Sequence, residues 1–483
     1  MNLFLKITLS LLCLIMVPYL TLQAQDCNCE DSFKKTVDVY EKDYSLFIYK
    51  VTDENRDLYT AHTDIMRTKA MQTDNLQDCK TILVQWLDFF RDGHTYLKIS
   101  TSIDLDIEKI PISEKEFKSS YKRNEYKQNP LLGIWQYKGY EVAIIPNPKN
   151  KNQTRDFVGL VINSSNEDWN QGDVKFELTS DFGSNYKSTF MMGDHTPKTV
   201  KAYQLSESKL SFENLNEWTK IWPKTSSEVS ESEIVEKFGQ FHFTEIDGIP
   251  YLRFPDFYSV DELHVDSIMK ANHEKLLASE FIIVDIRENG GGNDVTYYPL
   301  LPYILSGPIQ IPNTGLWMSD GNIKKFFESS DLKGKSIDEY TAEERELYDY
   351  VMSLKGTAFF EDPNYFYEYE PDTIYTSPMK VILLSTEAGS SGETFVYRAN
   401  QSDKVVVYGQ NTAGVVDGFN GLSTDIGCFT LTYPSSFRAK DVNENPIDPY
   451  GIAPDVYVDE DVDVLAYSIQ HMKQLIKNVN SKK

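Results

Sequence analysis

Two apolar runs that each end in a glycine- or serine-rich turn constrain the fold of this chain most. They are residues 281–292, FIIVDIRENGGG, and residues 381–393, VILLSTEAGSSGE. Runs rich in β-branched residues are typical of strands covered on both faces. Each run leads into a helix-like pattern, and a strand–turn–helix unit points backbone N–H groups into the crevice at the carboxyl end of a sheet. The pattern predicts an α/β domain, although two ordinary strand-to-helix turns without any chemistry have the same appearance.

Length and charge limit the class of protein. The 483 residues are enough for about three domains. Lys and Arg number 48 against 73 Asp and Glu, which gives a formal net charge of −25. We expect neither nucleic acid nor an anionic membrane as a partner, because both would repel so acidic a surface.

The first 24 residues are predicted to be a signal peptide. Lys6 gives a positive start, residues 7–20 are mostly apolar, and a small-residue cleavage site ends at Ala24. A membrane anchor is disfavoured, because Ser10 and Pro18 interrupt a run that is already short for a bilayer span. We therefore expect export to the periplasm or the extracellular space, with no integral membrane segment after the signal is removed.

Four cysteines follow the signal peptide, namely Cys27, Cys29, Cys79 and Cys428. In an oxidising compartment, Cys27 or Cys29 is predicted to pair with Cys79 and so to tie the mature N-terminus to a helical segment. Free thiols are the alternative. A Cys-x-Cys pair plus one further cysteine, without a nearby histidine, supports a metal site only weakly.

The segment 25–125 is predicted to be helical and carries a D-G-H motif. Apolar side chains recur at helical spacing, for example at Tyr40 and Tyr44. A later helical stripe stops at Asp92, and His94 lies just beyond it.

The rest of the chain changes pattern twice, which predicts a multidomain α+β protein. Residues 126–232 contain many short alternating runs separated by turns and are predicted to form a β-rich barrel or sandwich. Residues 233–483 hold the two apolar runs and form the predicted α/β domain, with an insertion, a candidate lid, at about residues 320–366.

The sequence lacks the common cofactor and metal motifs. It contains no H-E-x-x-H, no Walker loop and no C-x-x-C, and the glycines at 290–292 are not a G-x-G-x-x-G. The seven histidines are scattered without the spacing of metal ligands. We therefore expect neither a metal nor a cofactor.

Ser390 and Ser391 stand at the second strand-to-helix turn. A serine in such a turn can be exposed and strained, and the helix behind it would favour an oxyanion. The alternative is that these serines only cap the helix that starts near Glu393.

Four motifs follow one another in a fixed order along the C-terminal half. They are residues 285–292 (DIRENGGG), 390–393 (SSGE), 409–414 (GQNTAG) and 451–455 (GIAPD). Together they resemble the protease domain of the tail-specific (C-terminal-processing) and tricorn-type serine peptidases. The resemblance covers about residues 240–470 plus the upstream D-G-H motif, and it implies a ClpP/crotonase-like fold.

The resemblance also distinguishes two catalytic schemes. One branch of the family uses a serine–lysine dyad, but this chain has Val415 where that lysine stands, and no lysine lies between Lys404 and Lys440. The tricorn-like branch takes a histidine from a D-G-H motif, which His94 matches. The chain thus resembles the histidine-containing branch.

Catalytic roles are implied by the same resemblance. Ser390 would be the nucleophile, with Ser391 as its competitor, and His94 would be the general base. Asp448 would orient His94, although the family has a glutamate there and aspartate is one methylene shorter. Glu444 is the fallback for this role.

The oxyanion hole would use the backbone N–H of Ser391 and that of Gly291 or Gly292, since glycine lets the chain approach the substrate carbonyl. A structural role in holding this turn is predicted for three neighbouring polar residues, Asp285, Arg287 and Asn289.

These observations predict an exported serine endopeptidase that acts on a peptide or protein through a Ser-His-Asp/Glu arrangement and an acyl-enzyme. No glycine-rich loop of the PDZ type is found in the β-rich region, so recognition of substrate C-termini is not expected. One alternative is a catalytically inactive ligand- or peptide-binding protein on the same scaffold. Another places the activity in the β-rich region, as a glycan- or lipid-binding module.

Overall fold

The computed structural model describes residues 27–100, 107–123, 129–148, 155–181, 185–212, 215–224, 240–360, 364–438, 442 and 445–480. The predicted signal peptide and the fallback residue Glu444 lie outside these residues. Over the described ranges, no helix has the length and apolar character needed to cross a bilayer.

The N-terminal region is helical, as predicted. Asn28 and Asn75 cap the first and last of its four helices by accepting hydrogen bonds from the backbone N–H groups of Asp31 and Asp78. A 3-10 turn and the strand β1 follow. The elements are α1 (Cys29–Lys42), α2 (Phe47–Lys50), α3 (Arg56–Ala70), α4 (Leu76–Leu87) and β1 (Tyr96–Ile99).

The middle region is a closed antiparallel barrel of eight strands, which decides between the barrel and the sandwich. Neighbouring strands pair in chain order, and pairing of the first strand with the last closes the barrel. The tryptophans Trp135 and Trp218 are fully buried within it. Helix α5 (Glu114–Lys122) precedes the strands β2 (Gly133–Tyr137), β3 (Tyr140–Pro146), β4 (Phe157–Ser164), β5 (Val174–Ser180), β6 (Asn185–Met191), β7 (Pro197–Gln204), β8 (Lys209–Phe212) and β9 (Asn216–Trp222).

The C-terminal region is built on a six-stranded sheet in which the two apolar runs are neighbouring parallel strands. They pair in register from Phe281 opposite Lys380 to Asp285 opposite Leu384. Parallel pairing brings both glycine- and serine-rich turns to the same edge of the sheet. The strands in sheet order are β10 (His242–Ile246), β11 (Ile249–Arg253), β12 (Phe281–Asp285), β17 (Lys380–Ser385), β18 (Val405–Gly409) and β21 (Val456–Tyr457).

Helices cover both faces of this sheet, which explains why its central strands are apolar throughout. One face packs on four helices, and the other packs on the last helix through Ile469 and Met472. The helices are α6 (Glu262–Ala271), α7 (His273–Ala278), α8 (Leu301–Ile304), α11 (Ser391–Ala399) and α12 (Val464–Asn480).

A second sheet joins the two ends of the chain. Strand β1, which follows His94, pairs antiparallel with β20 (Phe429–Arg438), and β20 also pairs with β19 (Gly418–Asp425). Side chains of β20 share one hydrophobic core with α1, α3 and α4. The N-terminal helices are therefore packed onto the C-terminal region.

The region around the predicted insertion contributes to this second sheet. Strand β14 pairs with β20 and with β15, so part of residues 320–366 is built into the sheet. Trp317 and Asn322 donate hydrogen bonds to the carbonyls of Lys42 and Asp43 at the end of α1. The elements are β13 (Ile309–Pro312), β14 (Thr314–Trp317), α9 (Asp320–Ser329), α10 (Ala342–Ser353), β15 (Ala358–Phe360) and β16 (Phe366–Tyr369).

Two disulfides hold the N-terminus. Cys29 pairs with Cys79, which is one of the two predicted pairings. Cys27 pairs with Cys428, a bond across 401 positions that the sequence did not predict. The second bond joins a residue two positions before α1 to the residue before β20.

Candidate active site

Ser390 occupies a strained turn between β17 and α11. Its backbone has φ +53° and ψ −122°, values that non-glycine residues rarely adopt. It stands at the N-cap of α11, yet its side chain makes no capping hydrogen bond. The structure therefore does not support the alternative that this serine only caps the helix, and its hydroxyl is left for other contacts.

His94 meets Ser390 at the edge of the sheet. The Nε2 atom of His94 lies 3.1 Å from Ser390 Oγ, although the residues are 296 positions apart in sequence. Asp92 fixes the loop before β1 because its Oδ1 accepts the backbone N–H of His94 at 2.8 Å.

Burial makes His94 a neutral imidazole. It lowers the pKa of His94, while the negative charge of Asp92 and the carbonyl of Gly418 act in the opposite direction. Within the described residues, the buried Nδ1 atom of His94 makes no hydrogen bond of ordinary geometry, so the carbonyl of Gly418 acts mainly as a nearby dipole. A histidine that is neutral at pH 7 can accept a proton from Ser390.

Asp448 is buried but makes no hydrogen bond to His94. Its Oδ1 accepts the backbone N–H groups of Val416 and Asp417 at 2.7 and 3.1 Å. Its Oδ2 has no partner among the described residues. Burial and the neighbouring Asp417 raise the pKa of Asp448 to about 8. The structure thus brings Ser390 and His94 together, whereas the described hydrogen bonds of the Asp448 side chain go to the loop before β19.

Two backbone N–H groups remain open beside Ser390. Among the described residues, no acceptor is found for the N–H of Ser391 or for that of Gly292. The N–H of Gly291, in contrast, donates to Asn289 Oδ1 at 2.8 Å. Ser391 Oγ donates to the carbonyl of Gly292 at 2.8 Å, which occupies this competing hydroxyl. The arrangement offers Ser391 and Gly292 as paired donors.

The first turn packs tightly against the second. A Cβ on Gly291 would lie 2.7 Å from Ser390 Cβ and 2.9 Å from the nitrogen of Ser391. The buried Asn289 ties the turns together, because its carbonyl accepts the N–H of Gly389 at 2.8 Å. Asp285 accepts hydrogen bonds from Arg287 and Tyr251. These contacts hold the glycine turn in place.

Glu393 was assigned no role from the sequence, yet it organises the loop behind the site. This buried carboxylate accepts hydrogen bonds from the hydroxyl of Thr412 and from the N–H groups of Gly414 and Val415. Val415 in turn packs directly against Gly93. A Cβ added to Gly93 would lie 1.9 Å from Val415 Cγ1. The glutamate therefore holds the Val415 loop, against which the His94 loop packs. Its place within the SSGE motif was the sequence signal that could have indicated this role.

A strained serine paired with a neutral histidine beside open N–H groups is the arrangement that serine-type hydrolases use. Residues 248–458 match the model of Peptidase family S41, which identifies the protein as a serine-type peptidase. The family that was predicted from the ordered motifs is thereby confirmed.

Solved structures of similar fold include other peptidases. Mature CPAF complexed with lactacystin is 12% identical, with a TM-score of 0.48 over 94% of this chain and 99% of that one. The photosystem II D1 C-terminal processing protease is 11% identical, with a TM-score of 0.38 over 90% and 94%. The tricorn protease is 13% identical, with a TM-score of 0.37 over 93% and 37%. With TM-scores below 0.5, these likenesses add nothing to the family match, and no curated protein matches the sequence.

The described part of the chain contains no group of three or more His, Cys, Asp or Glu side chains arranged to hold a metal ion. The side chains and backbone at this site present a hydroxyl, an imidazole, N–H groups and carboxylates.

Proposed function

We propose that this protein is an exported serine endopeptidase in which Ser390 is the nucleophile and His94 the general base. The observation that carries the proposal is the 3.1 Å distance between Ser390 Oγ and His94 Nε2. This is within the range over which a proton passes directly between a nucleophile and its base.

The reaction would proceed through an acyl-enzyme. His94 takes the proton of Ser390 as Oγ attacks the peptide carbonyl, and it then gives this proton to the leaving amine as the C–N bond breaks. Water, deprotonated by His94, next attacks the ester, and the proton returns to Ser390 as the acid product leaves.

The oxyanion of each tetrahedral intermediate would be bound by the N–H groups of Ser391 and Gly292, the two that are open beside Ser390. The N-terminal end of α11 adds its positive dipole at the same place. Gly291 is not a donor to the oxyanion, because its N–H donates to Asn289 Oδ1. Its lack of a side chain instead lets the two turns approach each other.

Asp448 is retained as the candidate that orients His94. Its Oδ2 and the Nδ1 of His94 are both buried without hydrogen-bond partners in the described residues, so a hydrogen bond between them would satisfy two polar atoms at once. Replacing Asp448 by Asn and by Ala tests this role, since only the Asn variant can still accept a hydrogen bond.

Export is supported by the two disulfides, because such bonds persist in oxidising compartments. The predicted compartment is the periplasm or the extracellular space. Fractionation of cells that produce the full chain, followed by N-terminal sequencing of the mature protein, tests both export and the predicted cleavage near Ala24.

The catalytic proposal is tested with an unstructured protein substrate and a fluorophosphonate probe. We expect Ser390→Ala to abolish both cleavage and labelling, and His94→Ala to lower both by several orders of magnitude. Ser391→Ala is the matched neighbour and should still be labelled, because its backbone N–H is retained. Cleavage by Ser390→Ala at the rate of the parent would exclude Ser390. A parent that binds peptides without cleaving them would favour the inactive binding protein.

A further inference from the structure

Tyr40 of α1 and Tyr44, which lies two residues after the end of that helix, contact the residues on either side of His94. The hydroxyl of Tyr44 donates to Asp92 Oδ2 at 2.6 Å, and the hydroxyl of Tyr40 lies 2.5 Å from Thr95 Oγ1. The two residues are four positions apart, their rings lie 4.5 Å apart, and both are buried. The loop that carries His94 is thus held before and after the histidine by the end of α1 and the residues that follow it.

We propose that Tyr40 and Tyr44, here called the tyrosine pair, are positioning residues for the general base, and that Tyr44 acts on His94 through Asp92. This inference rests on the proposed function, since it assumes that His94 takes the proton of Ser390.

The connection from Tyr44 to His94 is continuous. Asp92 accepts the Tyr44 hydroxyl on Oδ2 and the His94 N–H on Oδ1, so its carboxylate bridges Tyr44 and the base. The backbone of Gly418 passes close to this carboxylate, since a Cβ added to Gly418 would lie 3.0 Å from Asp92 Oδ2. A shift of Tyr44 would therefore be passed to the loop that carries the imidazole.

The helix itself is fixed at its start and along one side. Cys29, the first residue of α1, is bonded to Cys79, and Cys27, two residues before the helix, is bonded to Cys428. The ring of Tyr40 packs on Phe90 and Trp86. The tyrosine pair thus connects the His94 loop to a hydrophobic core that is cross-linked by disulfides.

Charge gives the tyrosine pair a second effect on the base. Burial raises the pKa of Asp92, whereas the hydrogen bonds from Tyr44 and from the His94 N–H lower it. The ionised Asp92 in turn raises the pKa of His94. The other ionisable groups that act on Asp92, Tyr44 or the loops behind them come from the surrounding elements, and they are Tyr40, Lys50, Glu393, Asp417 and Asp448.

The sign of the effect of Tyr44→Phe follows from these contacts. Without its hydroxyl donor, Asp92 holds its negative charge less firmly, so less positive charge is stabilised at His94 and the pKa of His94 falls. The acid limb of the kcat/KM profile should move to lower pH. A weaker and less fixed base should lower kcat by roughly tenfold or more, with little change in KM because the substrate is not contacted.

Tyr59→Phe is the matched control. Tyr59 is a buried tyrosine of the same core, and its hydroxyl donates to Glu41 instead of to the His94 loop. Its removal should cost similar stability, but it should leave the acid limb and the labelling rate of Ser390 as in the parent.

A double-mutant cycle with Asp92→Asn tests the route. If Tyr44 acts through Asp92, adding Tyr44→Phe to the Asp92→Asn variant should change kcat by less than about twofold. The labelling rate of Ser390 with the fluorophosphonate probe gives a second readout that needs no substrate.

Two outcomes would overturn the inference. One is a Tyr44→Phe variant whose pH profile and labelling rate match those of the Tyr59→Phe control. The other is a set of effects for Tyr44→Phe and Asp92→Asn that simply add. Failure of the proposed function is seen separately, since a parent enzyme that is not labelled at Ser390 fails before any tyrosine is changed.

Discussion

Gly290 and Gly291 are adjacent and chemically identical, yet their surroundings differ completely. A Cβ on Gly290 would meet nothing within 4 Å, whereas one on Gly291 would press on Ser390 and on the nitrogen of Ser391. Gly291 also has φ +99°, which a side chain would strain. The requirement for glycine at 291 therefore comes from the approach of the two turns.

We expect Gly291→Ala to lower kcat by about 10²–10³-fold, the cost of losing one donor of an oxyanion hole, because it displaces Ser390 and Ser391 N. Gly290→Ala, its neighbour, should stay within a few-fold of the parent. Steady-state kinetics on a peptide substrate, with circular dichroism to check folding, measure both. Equal losses in the two variants would contradict the role of this contact.

Asp448 should make the protein less stable as the pH rises. Its pKa is raised from 3.8 to about 8, so between these values the folded state keeps a proton that the unfolded state has released. Stability is then lost with rising pH, by at most about 1.4 kcal/mol per pH unit. Asp448→Asn removes this proton and keeps the Oδ1 acceptor, so we expect the variant to lose less stability than the parent between pH 5 and pH 8.

Urea unfolding at pH 5, 6.5 and 8 measures the difference between parent and Asn variant. Parallel pH dependences in the two proteins would show that Asp448 is already ionised at neutral pH.

Sequence and structure agree best at single elements whose pattern is local. The runs that became β12 and β17 were readable because both faces of each strand are buried, and their adjacency followed from parallel pairing. Tyr40 and Tyr44 entered the sequence pattern as members of an apolar helical stripe. That pattern records the burial of their rings and carries no information on where their hydroxyls point.

The disulfides show the same limit. The pairing of Cys29 with Cys79 joins two nearby helices, and spacing made it one of two candidates. The pairing of Cys27 with Cys428 depends on β1 and β20 sharing a sheet, a contact that the sequence pattern does not reveal.

We expect removal of the Cys27–Cys428 bond to cost more than removal of the Cys29–Cys79 bond. In the chain-entropy account, the loops of 401 and 50 positions differ by about 2 kcal/mol in the free energy of unfolding. Urea unfolding of Cys27→Ala/Cys428→Ala and of Cys29→Ala/Cys79→Ala, which are matched in burial, measures this difference. A larger loss for the shorter loop would contradict it.

At the scale of the molecule, the barrel has a hydrophobic core of its own, whereas the N-terminal helices share a core with strand β20 of the C-terminal region. The barrel core is filled by its own strands and α5. The contacts described between barrel and helical region include an ion pair from Lys80 to Asp194 at 2.5 Å and a hydrogen bond from Lys80 to Thr196. The core beneath His94, in contrast, includes Leu431 and Phe437 of β20.

Replacing residues 107–224 by a flexible linker should therefore leave Ser390 reactive towards a fluorophosphonate and the cleavage of a small peptide close to that of the parent. A chain that begins at residue 107 should lose both, because it lacks His94 and exposes β20. Loss of labelling in the first variant, with the fold intact by circular dichroism, would place the barrel within the catalytic unit.

Sequence reasoning from the residues alone reached Ser390, with Ser391 beside it, as a candidate, and only the resemblance gave His94 a role with it. Nothing in spacing, composition or periodicity marks two positions 296 residues apart as neighbours. Their meeting depends on the pairing of β1 with β20 and on the packing of Val415 beside Gly93, which are contacts between the ends of the chain.

The pairing of β1 with β20 has a consequence for the nascent chain during translation. The ribosome makes His94 early, but the strand that seats its loop is among the last parts to emerge. A chain that ends before residue 390 thus contains His94 without Ser390. A chain that ends at residue 400 contains both residues but lacks β20, the strand that pairs with β1. The enzyme should therefore be inactive during translation. Ribosome-bound chains of increasing length test this, because labelling by the fluorophosphonate probe should start only after residue 438 has left the ribosome.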